Sequence, residues 1–593
     1  MRAILRDAAS GEWRLFERPR ELVVAYHVDE VVPALQRIEA ACARGVYAAG
    51  FIAYEAAPAF DAALRTKADG QFPLLWFGLY DNFNRLPQEA IDGAEGIATG
   101  PWEASISAGD YERAFHRLQE LIHSGETYQV NFTYRLRSRV SSSPWSLFQH
   151  LVSAQESAFG AYLHAGEWIV CSASPELFFE KRGTAVESRP MKGTAARGLW
   201  YDQDQEQAGR LRASEKERAE NVMIVDMVRN DLGRIARPGS VKVSKLFDVE
   251  RYPTLWQMTS TICAETDASL AEVMAALFPP ASITGAPKAS TMAIIAELEC
   301  SPRRIYTGTI GFIEPGGRAQ FNVAIRTVLL NRKTENAEYG IGGGIVSDSN
   351  VGQEWAETQL KSKVLGPGRP AFDLLETMRW RPGEGYWLLE LHLRRLAQSA
   401  EYFSFAVDVP AVRQRLQRLS DELDEANGGS HRIRLVVSRS GAVELRALPQ
   451  GRDAENFAGV VLAADPIDMT DPFLYHKTTN RRVYEEAVAR RPGAADVLLY
   501  NRKQEITEST IANLVVDIQG TLFTPPVECG LLAGTGRAHL LAEGTIRERK
   551  ISIDDLLSAA RLFLVNSVRG MHPVSITDPL LRPRACKQPS DVC

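Results

Sequence analysis

Two lysines and two groups of carboxylates are the residues of this chain best placed to do chemistry. Lys192 stands between Pro190, which fixes φ and lacks a backbone donor, and Gly193, which admits backbone angles closed to other residues, so its amine is presented on a constrained turn. Such an amine becomes a nucleophile when desolvation or neighbouring charge lowers its pKa, and an acid opposite it can then protonate a leaving group. Glu176 lies sixteen residues upstream, a span that a two-stranded excursion would fold back so that carboxylate and amine meet. Glu217 with Glu220, and again Glu354 with Glu357, lie three apart on helical patterns. Each pair shares a helix face and can grip a divalent cation. Ser214 with Glu217 also spells a capping box, which would consume Glu217 at the helix start and leave Glu220 the better ligand. In the second half, Lys477 and Glu508 stand in polar stretches that individually read as a solvated lysine and a turn acid.

The elements that must position these groups belong to an ordinary globular chain. At 593 residues it needs more than one core, and its 45% hydrophobic and 24% charged content is that of a soluble protein. A net charge of −6 argues against a general nucleic-acid surface, so an anionic ligand needs a local cluster of donors. The N-terminus is interrupted by charge, no apolar run approaches a membrane span, and the seven cysteines are scattered without a CxxC pair. These features predict a cytoplasmic protein with reduced thiols and no membrane contact.

Along the chain, the patterns predict helices over 31–43 and 110–122, and strands over 128–136, 167–172 and 176–180. A helix over 214–231 carries the first acidic pair, strands follow over 305–312 and 321–330, and a helix near 354–357 carries the second. Pro279 to Ile295 reads as a tight turn into a helix whose free N–H groups, with Lys288, suit an oxyanion. Gly340-Ile-Gly-Gly-Gly-Ile-Val346 offers bare backbone for close approach to a ligand.

Taken together, Tyr128-Gln-Val-Asn131, Ser174-Pro-Glu176, Arg189-Pro-Met-Lys-Gly-Thr194, Ala219-Glu-Asn221 through Arg229-Asn-Asp231, Ser282-Ile-Thr-Gly-Ala-Pro-Lys288 and Glu354-Trp-Ala-Glu357 resemble the chorismate-utilising enzyme family over residues 1–365. The resemblance implies an antiparallel β-sandwich flanked by helices. It also implies Mg²⁺ held by Glu220 and Glu357 with Glu217 and Glu354 in support, and chorismate bound through Tyr306, Arg326, Thr284, Gly285 and the Gly342 and Gly344 amides. Anthranilate synthases of the family carry alanine at the lysine position. Lys192 therefore points to the branch that makes aminodeoxychorismate, with Lys192 adding to C2, Glu176 as general acid, and ammonia drawn from a separate glutamine amidotransferase subunit. One departure stands out: Gln257 occupies a place where relatives often have histidine, so no proton shuttle can be assigned there.

A Gly/Pro-rich break over 366–371 precedes a second domain, 372–576, and a tail, 577–593, expected to be disordered. Leu388 to Leu396, Tyr475 to Arg482, Glu505 to Asn513, Leu532 to Arg537 and Asn566-Ser567 resemble the class IV fold of pyridoxal-phosphate enzymes, with two subdomains. The overall class is thus α/β (α+β). The resemblance implies that Lys477 binds the cofactor aldehyde, that Glu508 serves the pyridine nitrogen, and that Arg395, the Thr535 and Gly536 amides and Ser567 hold the phosphate. Relatives often have threonine where Gly536 stands. Dimerisation through this domain is a further implication. Fusion to an aminodeoxychorismate-forming half makes a lyase releasing pyruvate and 4-aminobenzoate the economical reading. The alternatives are an anthranilate-type synthase joined to an aminotransferase, or one half serving as a non-catalytic module.

Overall fold

A computed structural model describes residues 1–92, 99–366, 368, 370–426, 429–450 and 459–578. The tail expected to be disordered lies outside these residues from 579 on. The chain is mixed α/β and divides into two compact units, Met1–Arg197 with Gln207–Arg369 and Gly198–Glu206 with Pro370–Cys593. No helix among the described residues is long and apolar enough to cross a membrane.

The first unit is built on two ten-stranded sheets, antiparallel throughout. In one, Gln129–Arg139 pairs along its length with Asn336–Ile345, which brings the Gln129 and Asn131 region beside the glycine-rich stretch. In the other, Leu177–Arg182 and Ala185–Arg189 form the expected excursion, and Met191–Ala196 pairs with Leu255–Glu265. Phe16 and Leu163 of the first sheet and Phe51 and Phe312 of the second share one buried cluster, so the two sheets are joined by apolar burial.

Two expected strands are shorter than their apolar runs. The run over 321–330 is split into Ala319–Val323 in one sheet and Thr327–Asn331 in the other, and Arg326 between them takes φ +51°. The run over 305–312 is a strand only from Thr309, because Arg304 and Thr307 have φ +56° and +61°. A pleated strand excludes positive φ, so hydrophobicity alone overestimates both elements.

In the second unit, Leu374–Arg381 and His431–Val437 are central to a four-stranded antiparallel sheet. An eight-stranded sheet of mixed direction runs from Ile506–Ser509 to Arg547–Glu548, and pairing of Glu508 with Asn513 ties its first strand back to Asn513–Ile518.

Candidate active sites

The hairpin that precedes Lys192 brings its two carriers of chemistry together. Leu177 pairs with Arg189, so Glu176 and Met191 emerge side by side, and Met191 N–H donates to Glu176 Oε1 at 3.4 Å. Ser282 Oγ donates to the same oxygen at 2.6 Å. Glu176 is 2% exposed. Burial outweighs the Ser282 bond and pushes its carboxyl up to about 7, so it carries a proton much of the time at neutral pH.

Lys192 faces the same cavity as Glu176. Gly193 has φ +106°, a conformation that side chains resist, and a Cβ there would stand 3.0 Å from Glu217 Oε2. The turn is braced on both sides: Asn221 Nδ2 donates to Lys192 O at 3.1 Å, and Gln257 Nε2 to Gly193 O at 2.8 Å. Gln257 is therefore a brace of the turn that carries Lys192, a task that glutamine performs and that needs no proton shuttle. The amine packs against backbone, for a Cβ on Gly344 would lie 2.2 Å from Nζ. It is ion-paired to Glu220 Oε2 at 2.9 Å. Burial works to lower its pKa, but Glu220, Glu357 and Glu354 outweigh burial and raise it. The desolvated, lowered-pKa amine expected from the sequence is, in this arrangement, a held cation.

The acidic pairs stand on two capped helices. Glu215–Gly233 starts at Ser214, whose hydroxyl accepts from Glu217 N–H at 3.3 Å. Only that half of the capping box is present, so Glu217 is not consumed and its carboxylate lines the cavity with Glu220. Val351–Ser362 starts at Asn350, whose side chain accepts from Gly352 and Gln353 N–H, and this presents Glu354 and Glu357 to the same space. Burial and Glu220 push the Glu217 carboxyl up to about 6, and burial and Glu357 raise that of Glu354. Lys361 lies 2.5 Å from Glu357 and holds its carboxyl low against burial. Among the described residues no three His, Cys, Asp or Glu side chains gather closely enough to hold a metal ion as they stand. The donors are nonetheless hard oxygens, and the mutual repulsion that adds to burial in raising two of them is what a divalent cation relieves.

Tyr306, Arg326, Gly342 and Gly344 line this cavity as expected; Thr284 and Gly285 do not. The Thr284 hydroxyl turns back to Pro280 O at 3.2 Å, and Gly285 pairs with Val130 in the sheet. Lys288 is also directed elsewhere, to Asp231 Oδ2 at 2.9 Å, so its charge is paired with a carboxylate. Sequence reasoning missed Lys216 and Lys361, which line the cavity, and Gln129. Gln129 is fully buried near Gly344, and among the described residues neither of its side-chain amide atoms has a partner.

The second cavity belongs wholly to the second unit. Lys477, Arg395, Arg432, Arg434, Arg481 and Arg569 line it, and Glu508 is the one carboxylate among its lining residues. Such a lining favours negative charge. Burial and Arg395 lower the Lys477 amine to about 8, so about a tenth of it is neutral at pH 7 against well under a thousandth for an ordinary lysine. Glu508 is 4% exposed and accepts from Tyr484 Oη at 2.8 Å, Asn513 Nδ2 at 3.0 Å and Leu532 N–H at 3.1 Å. Burial pushes its carboxyl up to about 7 despite these bonds. Arg395, Thr535 and Ser567 line the cavity; Gly536 is buried against Asn566 and does not. The four additional arginines, Tyr484 and Asn513 escaped the sequence reading because they lie on separate strands, a helix and loops that only folding joins.

Residues 3–366 match the family model described as chorismate binding enzyme, and residues 373–576 that described as amino-transferase class IV. Aminodeoxychorismate synthase component 1 of Salmonella typhimurium is 40% identical over 273 residues, 45% of this chain and 60% of that protein. Aminodeoxychorismate synthase of Streptomyces griseus is 38% identical over 292 residues, 48% of this chain and 39% of that protein. The matched segment thus spans at most about three fifths of these curated relatives. The crystal structure of anthranilate synthase component I from Streptococcus pneumoniae shares the fold, with a TM-score of 0.51 at 21% identity, covering 61% of this chain and 92% of that one.

Proposed function

Because the chain belongs to the chorismate binding enzyme family, we propose that it is a bifunctional enzyme that aminates chorismate to 4-amino-4-deoxychorismate in its first unit and eliminates pyruvate from that product in its second, yielding 4-aminobenzoate. The observation that carries this reading is a half-buried lysine that shares the first cavity with a buried glutamic acid whose carboxyl is raised to about 7, together with a second half-buried lysine in a cationic cavity on the same chain. Its similarity to aminodeoxychorismate synthases supports the first activity, and the class IV domain supports the second.

In the first unit, Lys192 bonds to C2 of the ring as the C4 hydroxyl leaves, and Glu176 donates the proton that lets it leave as water. Lys192 must shed its own proton before it attacks, since Glu220 now holds it as a cation. Ammonia then bonds to C4 and the C2–N bond breaks, returning the amine to Lys192. Tyr306, Arg326, Gly342 and Gly344 line the cavity, and they would hold the side-chain carboxylate. Glu217, Glu220, Glu354 and Glu357 would hold Mg²⁺, which supplies fixed positive charge against the ring carboxylate.

In the second unit, Lys477 takes the proton from C4 and returns it to the methylene carbon of the departing enolpyruvyl group. Pyruvate leaves, and the ring becomes aromatic. Arg395, Thr535 and Ser567 would hold pyridoxal phosphate, with Glu508 at its ring nitrogen. When bound, the cofactor supplies an electron sink for the carbon that loses its proton.

We read the two large sheets as the faces of one antiparallel sandwich over 1–365, joined by a linker, 366–371, to a class IV fold of two subdomains over 372–576. A separate glutamine amidotransferase subunit would deliver the ammonia, and the second unit would support a homodimer. The scattered free cysteines favour the cytoplasm. Two variants test the assignment. Lys192→Ala should leave chorismate unconsumed, and Lys477→Ala should accumulate 4-amino-4-deoxychorismate; a Lys192→Ala enzyme that still aminates chorismate would remove the nucleophile.

A further inference from the structure

Behind the second cavity runs a chain of hydrogen bonds that the reaction above leaves unused. Glu376, on Leu374–Arg381, is 1% exposed and accepts from Arg395 Nε at 2.9 Å and Nη2 at 2.7 Å. Its Oε2 lies 2.6 Å from His392 Nδ1, and His392 Nε2 lies 3.2 Å from Thr535 Oγ1. Glu376 and His392 lie behind the cavity wall; Arg395 and Thr535 form part of it.

The direction of every bond in this chain follows from one end. Burial would raise the Glu376 carboxyl, but Arg395 and His392 hold it at about 2, so it is ionised and can only accept. The proton of His392 therefore sits on Nδ1. Burial, opposed by Glu376, keeps the ring neutral, and Nε2 is left as a lone pair. The Thr535 hydroxyl must then donate to Nε2, and its oxygen can only accept from the cavity. An anion in the cavity requires the opposite.

We propose that Thr535 is a switchable donor: a phosphate-type dianion draws the Thr535 hydroxyl toward itself, and His392 takes up one proton on Nε2 and donates it to the Thr535 oxygen. This rests on the reading that the cavity holds the phosphate ester of pyridoxal phosphate, and it names the residues that adapt to it. One O–H···N bond breaks, one O–H···O and one N–H···O bond form, and the added proton comes from solvent. Of the charged groups around His392, Glu376 on the adjoining strand favours the imidazolium, whereas Arg395 on its own helix and Lys477 oppose it. The dianion supplies the charge that tips this balance. Glu376 and His392 are thus positioning residues, acting through Thr535 and Arg395.

The test is a proton count. The full-length chain, freed of cofactor, is titrated with sulfate, which stays a dianion near neutrality, in two buffers of different ionisation heat at about pH 7.5. Lys477 and Glu508 also titrate in this range, so the uptake is read as a difference between variants. The parent should take up close to one proton more per sulfate than either His392→Asn or Thr535→Val. Nitrogen-15 resonances of labelled histidine in the unmodified chain give a readout free of folding defects: Nε2 of His392 should change from lone-pair-bearing to protonated as sulfate saturates. Sulfate binding with no difference in uptake and an unprotonated Nε2 would overturn the switch while leaving the cofactor reading intact. Failure of both sulfate and pyridoxal phosphate to bind would overturn both.

Discussion

Burial, set against the bonds from Ser282 Oγ and Met191 N–H, holds the Glu176 carboxyl near the pH at which it has to give up a proton. With a raised value of about 7, the acid is protonated below that pH and spent above it, so its contribution is present at lower pH and lost as pH rises. The amination step should therefore carry a falling limb from Glu176, about tenfold per pH unit above that value, set against the opposite slope from Lys192, which must lose its proton and does so more as pH rises. Glu176→Gln should remove that limb and lower the rate by roughly 10²–10⁴-fold, a loss typical of a missing general acid. Steady-state rates of chorismate consumption across pH, for parent and variant, check both. Lys192→Ala should abolish chorismate consumption while leaving pyruvate release from supplied 4-amino-4-deoxychorismate unchanged.

At the scale of elements, the site depends on backbone brought close to side chains. A methyl group on Gly344 would occupy the place of the Lys192 amine, 2.2 Å away, so Gly344→Ala should silence amination and spare the lyase step. Asn350 caps the helix that carries Glu354 and Glu357 through two backbone N–H groups. Asn350→Ala should cost about 1 kcal/mol in the denaturation of the first unit and raise the Mg²⁺ concentration needed for half-maximal rate.

These elements also mark what a linear reading can and cannot reach. Acidic pairs three apart, a glycine-rich strand and a hairpin linking Glu176 to Lys192 are local patterns, and local geometry places them. The crossing of the chain between sheets at Arg326, the inward turn of Thr284 and the pairing of Lys288 with Asp231 depend on partners far along the chain. Glu376 has no local signal, because its partners His392 and Arg395 reach it only from a neighbouring helix. The Ser214 cap misleads for a different reason: its backbone half is local, but the Glu217 carboxylate lines the cavity.

For the whole molecule, each cavity is lined by residues of a single unit, so each chemistry should survive damage to the other. Mixing Lys192→Ala with Lys477→Ala should restore 4-aminobenzoate formation, with a lag that shortens as protein concentration rises. Continued silence of the mixture, with both variants folded, would mean that the intermediate cannot pass between molecules.

The most direct measurement is the identity of the aromatic product. Purified protein supplied with chorismate, Mg²⁺, ammonium and pyridoxal phosphate should release 4-aminobenzoate and pyruvate in equal amounts, resolved by retention time and mass. Release of 2-aminobenzoate, or of 4-amino-4-deoxychorismate with no aromatic product, would contradict the account.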